Sequence, residues 1–386
     1  MMFTFGSLDP KEQEVLARIN QMRKDLRYAT GEPRRWSGPL RRQVFARAIQ
    51  GSNSIEGYNV TLDDAVAAAD NEEPLDAGDE TWLAVTGYRK AMTYILQMAR
   101  DEHFEFSSAL LKSLHFMMID HDLSKSPGMW RPGYIAVRNE ATGKIVYEGP
   151  DADLVPDLMD ELVASLRSTN DLPPLIRAAT AHLNLVMIHP FRDGNGRMGR
   201  ALQTLVLARE GMLDPVFSSI EEYLGRNTID YYNVLAEVGQ GSWHPGNDCR
   251  PWIRFCLKAH FHQQQTHLRR IRRIERVYVR LDEMVRIERH LPERMAIALL
   301  DAAFGMRVRN AGYRKMADIS LNLASRDLKT LADNGLLIPK GERRGRYYVA
   351  TDEITAFYEA ERRREPRSEE DPFSSQDLFL PGLVFD

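Results

Sequence analysis

Residues 189–200 read His189-Pro190-Phe191-Arg192-Asp193-Gly194-Asn195-Gly196-Arg197-Met198-Gly199-Arg200, and they concentrate more chemistry than a connecting loop needs. A histidine with an ordinary pKa of about 6.5 is a suitable proton acceptor near neutral pH. Asp193 repels phosphate directly, yet it can hold Mg2+ that bridges to phosphate oxygens. Gly194 and Gly196 let the chain turn with successive amides pointing inward, and a helix starting there adds the positive end of its dipole. That combination is an anion site. Arg197 and Arg200 share one face of the first helical turn, where both guanidiniums can grip phosphate oxygens in fork geometry. Taken singly, each residue has an ordinary role as a cap, a turn or a solvated charge. Their joint spacing points to transfer of a phosphoryl-type group, which asks for positioning and charge neutralisation.

The elements that must hold this loop are helical. Residues 175–188 contain no Gly or Pro and are rich in helix formers, which predicts a largely buried helix. Pro190 stops it and pushes His189 out of the helical region, so that the ring projects into whatever the loop encloses. The next helix runs from Arg197 to about Arg209, and Gly211 ends it.

The stretch resembles the signature of Fic-domain proteins, His-x-Phe-x-Asp-Gly-Asn-Gly-Arg-x-x-Arg, and every fixed position matches. The resemblance implies a protein adenylyltransferase, which moves AMP from ATP to a hydroxyl side chain (Tyr, Thr or Ser) of a target protein. It implies His189 as the base that deprotonates that hydroxyl and Asp193 as the Mg2+ ligand. Phe191 anchors the loop in the core, and Phe191 to Gly196 with Arg197 and Arg200 form the ATP-binding segment, Arg192 included. Gly194, Asn195 and Gly196 hold the phosphates, the two arginines the outer ones.

A helix over about residues 40–57 ends in Ser52-Asn53-Ser54-Ile55-Glu56-Gly57, with Gly57 a natural stop. A glutamate in the last turn faces the negative end of the helix dipole and needs a cation. The segment resembles the inhibitory Ser/Thr-x-x-x-Glu-Gly/Asn helix of second-class Fic proteins, which implies that Glu56 pairs with Arg200 and blocks productive ATP binding, with Ser52 and Gly57 the other fixed positions.

Two short strands, residues 134–138 and 144–148, flank Asn139 to Gly143 as a hairpin. It resembles the Fic flap, which implies that Ile135, Ala136 and Val137 offer an edge to the target's backbone by strand addition. Tyr231 and Tyr232 resemble the tyrosines lining the family's adenine pocket, although paired tyrosines are equally core residues.

Further helices are expected at 8–28, 61–70, 80–100, 106–119, 227–238 and 251–264, followed by a separate charged helix from 266 to 289. Helices at 292–304, 315–320 and 323–334, then strands at 336–339 and 347–350, resemble a winged helix domain. Arg326 and Lys329 on its third helix and Arg343, Arg344 and Arg346 on the wing can meet phosphates. Asp327 and Asp333 on that helix favour a protein-docking or dimerising role over DNA.

The expected fold is therefore mainly α: a Fic helical core with a small β-hairpin flap, plus a C-terminal winged helix (α+β) domain. Its parts are an N-terminal helical region (1–110) carrying the inhibitory helix, a catalytic core (111–265), a connecting helix (266–290), the winged-helix-like domain (291–352) and a disordered tail (362–386).

The chain of 386 residues is 43% hydrophobic and 27% charged, ordinary for a globular protein with a real core. A net charge of −4 provides no bulk affinity for nucleic acid or anionic membrane. Cys249 and Cys256 have neither metal-ligand nor redox spacing, and no targeting segment or bilayer-length apolar run is visible, so a cytoplasmic protein is expected. The expected partners are ATP with Mg2+, a target protein that can be the chain itself, and a second copy of the chain. Rival readings are another nucleotide or phosphate transferase on the same loop, a de-AMPylase in which Glu56 positions water, and a DNA-binding regulator with a Fic sensor domain. Gly194-Asn195-Gly196 disfavours the family's kinase variant.

Overall fold

The computed structural model describes residues 1–139, 142–168, 172–211, 213–342, 345–364 and 370–374. It is mainly helical, with two antiparallel two-stranded hairpins. Helix α1 (Pro10–Gly31) opens with a capping box in which Asp9 and Glu12 satisfy each other's backbone amides. Helix α2 (Ser37–Ile55) starts earlier than its apolar pattern suggests, because Trp36 is buried and Pro39 is accommodated in the first turn. Helices α3 (Leu62–Asp70), α4 (Asp79–Met98) and α5 (Ser108–Ile119) follow.

Strands β1 (Ala136–Arg138) and β2 (Ile145–Glu148) pair with Ala136 opposite Glu148 and Val137 opposite Tyr147. Helix α6 (Val155–Arg167) has no counterpart among the sequence expectations, although Val155, Leu158, Met159, Leu162 and Leu166 recur at helical spacing and are all buried. Helix α7 (Pro174–Ile188) is the centre of the core: from Leu175 to Ile188 only Arg177 and Thr180 are not fully buried. Helix α8 (Asn195–Arg209) packs beside it, and Gly199 is needed there because a Cβ would collide with His182 and Val186 of α7.

Short helices α9 (Glu221–Arg226) and α10 (Thr228–Gly239) precede α11 (Arg250–Glu283), which is a single helix of 34 residues. The expectation of two helices broken near residue 265 is corrected. Beyond Pro251, nothing in α11 interrupts its backbone ladder, and buried positions continue from Trp252 to Leu281.

The C-terminal unit comprises α12 (Met295–Ala303), α13 (Asn310–Ala317), α14 (Leu321–Asp333), β3 (Leu337–Lys340), β4 (Tyr347–Ala350) and α15 (Asp352–Arg364). Its second helix lies upstream of the expected 315–320, because Asp318 leaves it in the left-handed conformation. Asp327 is buried, held by Nε and Nη2 of Arg294 and by the Tyr313 hydroxyl, so it does not oppose Arg326 and Lys329 on the exposed face. Arg343 and Arg344 lie outside the described residues. The expected disorder from residue 362 is corrected in two places. Arg362–Arg364 complete α15, and Glu370 and Asp371 pair with Arg18 and Lys258. Residues 375–386 lie outside the described ones.

Candidate active site

His189 caps α7 in the left-handed conformation, φ 53° and ψ 57°, so it leaves the helical region ahead of Pro190 by the less common route. Such backbone costs of order 1 kcal/mol and persists only where its surroundings hold it. Arg131 does so: its Nε donates to the His189 carbonyl at 2.9 Å and its backbone amide to the Pro190 carbonyl at 2.8 Å. Nη1 and Nη2 of Arg131 reach Gly133 and Pro150, tying the loop to both ends of the hairpin.

The His189 ring is oriented by Nδ1, 3.1 Å from the Val186 carbonyl. A carbonyl only accepts, so Nδ1 carries the hydrogen and Nε2 presents its lone pair. Nε2 has no partner among the described residues. Burial, the dominant influence, pushes the His189 pKa below the ordinary histidine value.

Below the loop, Phe191 is fully buried and stacks on His115 at 3.7 Å between ring centres, with Trp130 tilted against it at 4.9 Å. His115 accepts the Gly128 amide at Nδ1 and donates from Nε2 to the Asp193 carbonyl. Burial lowers its pKa to about 4, so it is a neutral structural group. Asn195 is spent on the loop as well: Oδ1 accepts the Phe191 amide and Nδ2 donates to the Phe191 carbonyl, both at 2.9 Å. Its side chain is therefore unavailable to phosphate. Arg192, expected around the nucleotide, instead donates to the Ser124 carbonyl at the surface.

Asp193 turns its Oδ1 back onto the Gly194 amide and stands with Oδ2 3.7 Å from Lys125 Nζ. Together with Tyr58, His121 and Arg197 these two residues line a cavity of about 480 Å³. Among the described residues no cluster of three His, Cys, Asp or Glu side chains forms a metal cage. A single half-exposed carboxylate facing a cavity is nevertheless the donor set that suits Mg2+, which keeps waters and takes its remaining ligands from phosphates.

Arg197 and Arg200 are both almost completely buried. Nε and Nη1 of Arg197 and Nη1 of Arg200 have no hydrogen-bond partner, an expensive state for buried charged donors and one that an anion would relieve. The terminus of α2 covers both groups. Gly57 (φ 83°) ends the helix with Tyr58 N–H returning to Asn53 and Gly57 N–H to Ser54, the bond pattern of a Schellman cap. This cap puts Glu56 Oε1 2.7 Å from Arg200 Nη2 and lays Tyr58 over Arg197, 5.3 Å from ring centre to guanidinium carbon. Ser52 completes the grip, its Oγ accepting from Arg200 Nε at 2.8 Å and its carbonyl from Nη2 at 2.9 Å. Burial opposes the charge on Arg200, but the Glu56 carboxylate outweighs it and holds the pKa above the ordinary arginine value. Gly196 at the first turn of α8 leaves room for the Glu56 carboxylate, since a Cβ there would stand against Glu56 Oε1. The carboxylate thus stands beside the first turn of α8, paired with Arg200.

Tyr231 and Tyr232 separate. Tyr231 is 1% exposed, hydrogen-bonded to His182 Nε2 and packed on Trp252 and Phe255, so it is a core residue behind Arg200. Tyr232 is 45% exposed, and its hydroxyl donates to the Ile55 carbonyl beside the α2 terminus. At the hairpin, the β2 residue Glu148 bridges to Ser242, whereas the outer edge of β1, with Ala136 and Val137, pairs with no strand among the described residues. The Ile135 carbonyl accepts from the Gly149 amide, and Tyr147 ties β2 to the α7 carbonyl of Met187.

Arg131, His115, Lys125 and Tyr58 carry no sequence signal of these roles, because each acts through a segment distant in the chain. A buried arginine between Trp130 and Pro132 is the nearest thing to one.

A helical core that presents a histidine, a carboxylate and two buried arginines at one helix N-terminus defines the class, and residues 105–207 match the Fic/DOC family. The chain thus carries a Fic domain. It is 27% identical over 263 residues to the protein adenylyltransferase Fic of Nematostella vectensis, covering 64% of this chain and 54% of that one. Over 106 residues it is 38% identical to protein adenylyltransferase fic-1 of Caenorhabditis elegans, covering 28% and 17%. The chain spans about half the length of the curated relatives it matches. Among solved structures, a Fic family protein from Desulfovibrio desulfuricans aligns with a TM-score of 0.58 at 23% identity, over 90% of this chain and 98% of that one. Fic-1 of C. elegans aligns at 0.53 and 22%, over 68% and 73%.

Proposed function

We propose that the protein is an adenylyltransferase that moves AMP from ATP to a hydroxyl side chain (Tyr, Thr or Ser) of a target protein, and that Glu56 holds it down. The observation that carries this reading is the pair of buried arginines with unpartnered donors at the α8 N-terminus, beside a histidine whose Nε2 is free. The target hydroxyl attacks the α-phosphorus of ATP, a new O–P bond forms, and the bond to the β-phosphate oxygen breaks to release pyrophosphate. His189 Nε2 takes the hydroxyl proton. Arg197, Arg200 and the first-turn amides of α8 neutralise and align the phosphates. Asp193 is the residue to hold Mg2+, which when bound supplies charge neutralisation to the triphosphate.

The free edge of β1 offers Ala136 and Val137 to the target backbone, which would set its hydroxyl before His189. Glu56 competes with the outermost phosphate for Arg200, so ATP either displaces it or binds with its α-phosphorus misaligned. The C-terminal unit is read as a winged helix serving protein docking or dimerisation, and the protein as cytoplasmic. No helix among the described residues is long and apolar enough to cross a membrane.

The test is incubation of the Glu56→Gly protein with Mg2+ and cell lysate and, in parallel, ATP labelled on the α-phosphate, ATP labelled on the γ-phosphate and the other α-labelled nucleoside triphosphates, followed by identification of labelled bands by mass spectrometry. A mass increment of one AMP on a hydroxyl side chain is expected. Label from the γ-phosphate only, or no label with any nucleotide, would overturn the reading.

A further inference from the structure

The first turns of the helix that ends at Glu56 reach a different part of the molecule through their side chains. Leu40 and Val44 of α2, with Trp36 just before it, are buried in one apolar cluster that also takes in Phe217, Ile271 and Ile274 and extends to Ile297, Leu300, Tyr313, Leu328 and Leu331 of the C-terminal unit. Ala46 of α2 shares a smaller cluster with Ala65 and Val66 of α3 and Met306, which follows α12. Charge reinforces this seam. Arg42 of α2 reaches Asp70 of α3 at 2.8 Å and pairs directly with Asp301 of α12, whose side chain is 3% exposed. Arg307 pairs with Asp63 and Asp76, and Arg309 with Glu72, so α3 and the loop after it are held by the same unit. Buried pairs of this kind fix geometry more than they add stability, because a shift of either partner strands a charge.

The other half of α2 belongs to the Fic core. Gly51 lies against the α9 backbone so closely that a Cβ would collide with the Glu221 carbonyl, and a Cβ on Gly225 would collide with Gly51. Glycines on both sides permit backbone contact, so a shift of α2 that moves Glu56 must also loosen this contact. From Arg42 to Glu56 the helix carries any displacement over about 21 Å. Three bonds to Arg200, from Ser52 Oγ, Ser52 O and Glu56 Oε1, all depend on its seat.

We infer that the C-terminal unit positions the inhibitory helix: Asp301 and Met306, through Arg42 and Ala46, hold α2 in the register that keeps Glu56 on Arg200, and loosening this seam releases the enzyme. Asp301 and Met306 are positioning residues. This inference rests on the transferase reading, and it makes the C-terminal unit the control element of the Fic site. Anything that shifts that unit on α2 is reported at Arg200.

The experiment measures automodification with α-labelled ATP in a two-by-two design with the full chain: wild type and Glu56→Gly, each with and without Asp301→Asn. Asp301→Asn should raise labelling in the wild-type background by about 3-fold or more and change the Glu56→Gly rate by less than about 2-fold, the non-additivity of residues acting through one contact. Met306→Ala loosens the same seam without changing charge and should behave alike, and it decides the matter if Asp301→Asn does not fold. No increase with either variant, or equal change in both backgrounds, overturns the inference. If Glu56→Gly itself transfers no label, the transferase reading has failed, and amide exchange over residues 49–57 takes over as the readout. Faster exchange there in the Asp301→Asn protein, with its cooperative melt intact, supports the coupling; unchanged exchange overturns it.

Discussion

Glu56 and Arg200 lie 144 positions apart in the chain and meet at 2.7 Å, carboxylate to guanidinium, with the arginine side chain wholly buried and the glutamate 22% exposed. The exposed partner is the one that can leave. Withdrawing Glu56 costs it a charge-assisted bond, which ATP's phosphate replaces, whereas Arg200 stays fixed by Ser52.

From that asymmetry, Glu56→Gly should raise AMP transfer by roughly 10- to 100-fold, the value of one such bond converted to rate. Arg200→Ala should not, since it frees the site but deletes a phosphate ligand, and the double variant should resemble Arg200→Ala. Labelled automodification measures all three. Equal activity of wild type and Glu56→Gly would show that the pair only terminates a helix.

His189→Ala should lower transfer by roughly 10²- to 10⁴-fold while ATP still binds, because the base acts on the target hydroxyl and not on the nucleotide. Calorimetric titration with ATP and a transfer assay separate the two effects. Normal transfer in that variant would remove His189 from the mechanism.

The pH dependence follows from burial at the same residue. Its pKa is lowered from 6.5, so the neutral, proton-accepting form persists below that value and is lost only as the pH falls through the lowered one. The acid limb of kcat/KM, measured on the Glu56→Gly protein, should therefore lie below pH 6.5. An acid limb above pH 6.5 would mean that another group is the base.

Asp193→Ala should reduce transfer by roughly 10²-fold or more and abolish its response to Mg2+. Titration of wild-type protein with EDTA provides the control. Transfer indifferent to EDTA would leave Asp193 a structural role only, in its contacts with Gly194 and Lys125.

Phe191→Ala should destabilise the fold by about 3–5 kcal/mol, since it empties a fully buried site between His115 and Trp130. Denaturant unfolding checks this. A loss under about 1 kcal/mol would show that the loop is held by its backbone bonds instead.

The chemistry of the 189–200 loop was legible because its residues are neighbours in the chain, and side-chain type and spacing are properties of sequence. Gly57 as a helix stop and Gly194 as a turn were legible for the same reason: positive φ is a local demand that glycine meets. The seat of Glu56 was legible only through resemblance, since nothing in residues 52–57 names its partner. What the tertiary structure decided was competition for donors and space. Asn195 has atoms suited to phosphate, yet the Phe191 backbone takes both. Tyr231 and Tyr232 look equivalent in sequence, but successive helical residues point in different directions, so one enters the core and the other meets the α2 terminus. Arg131, His115 and Tyr58 hold the loop or cover its arginines from segments far from it. Sequence alone determined which groups were present; only packing determined which of them remain free, because a donor's availability depends on every other element that closes around it.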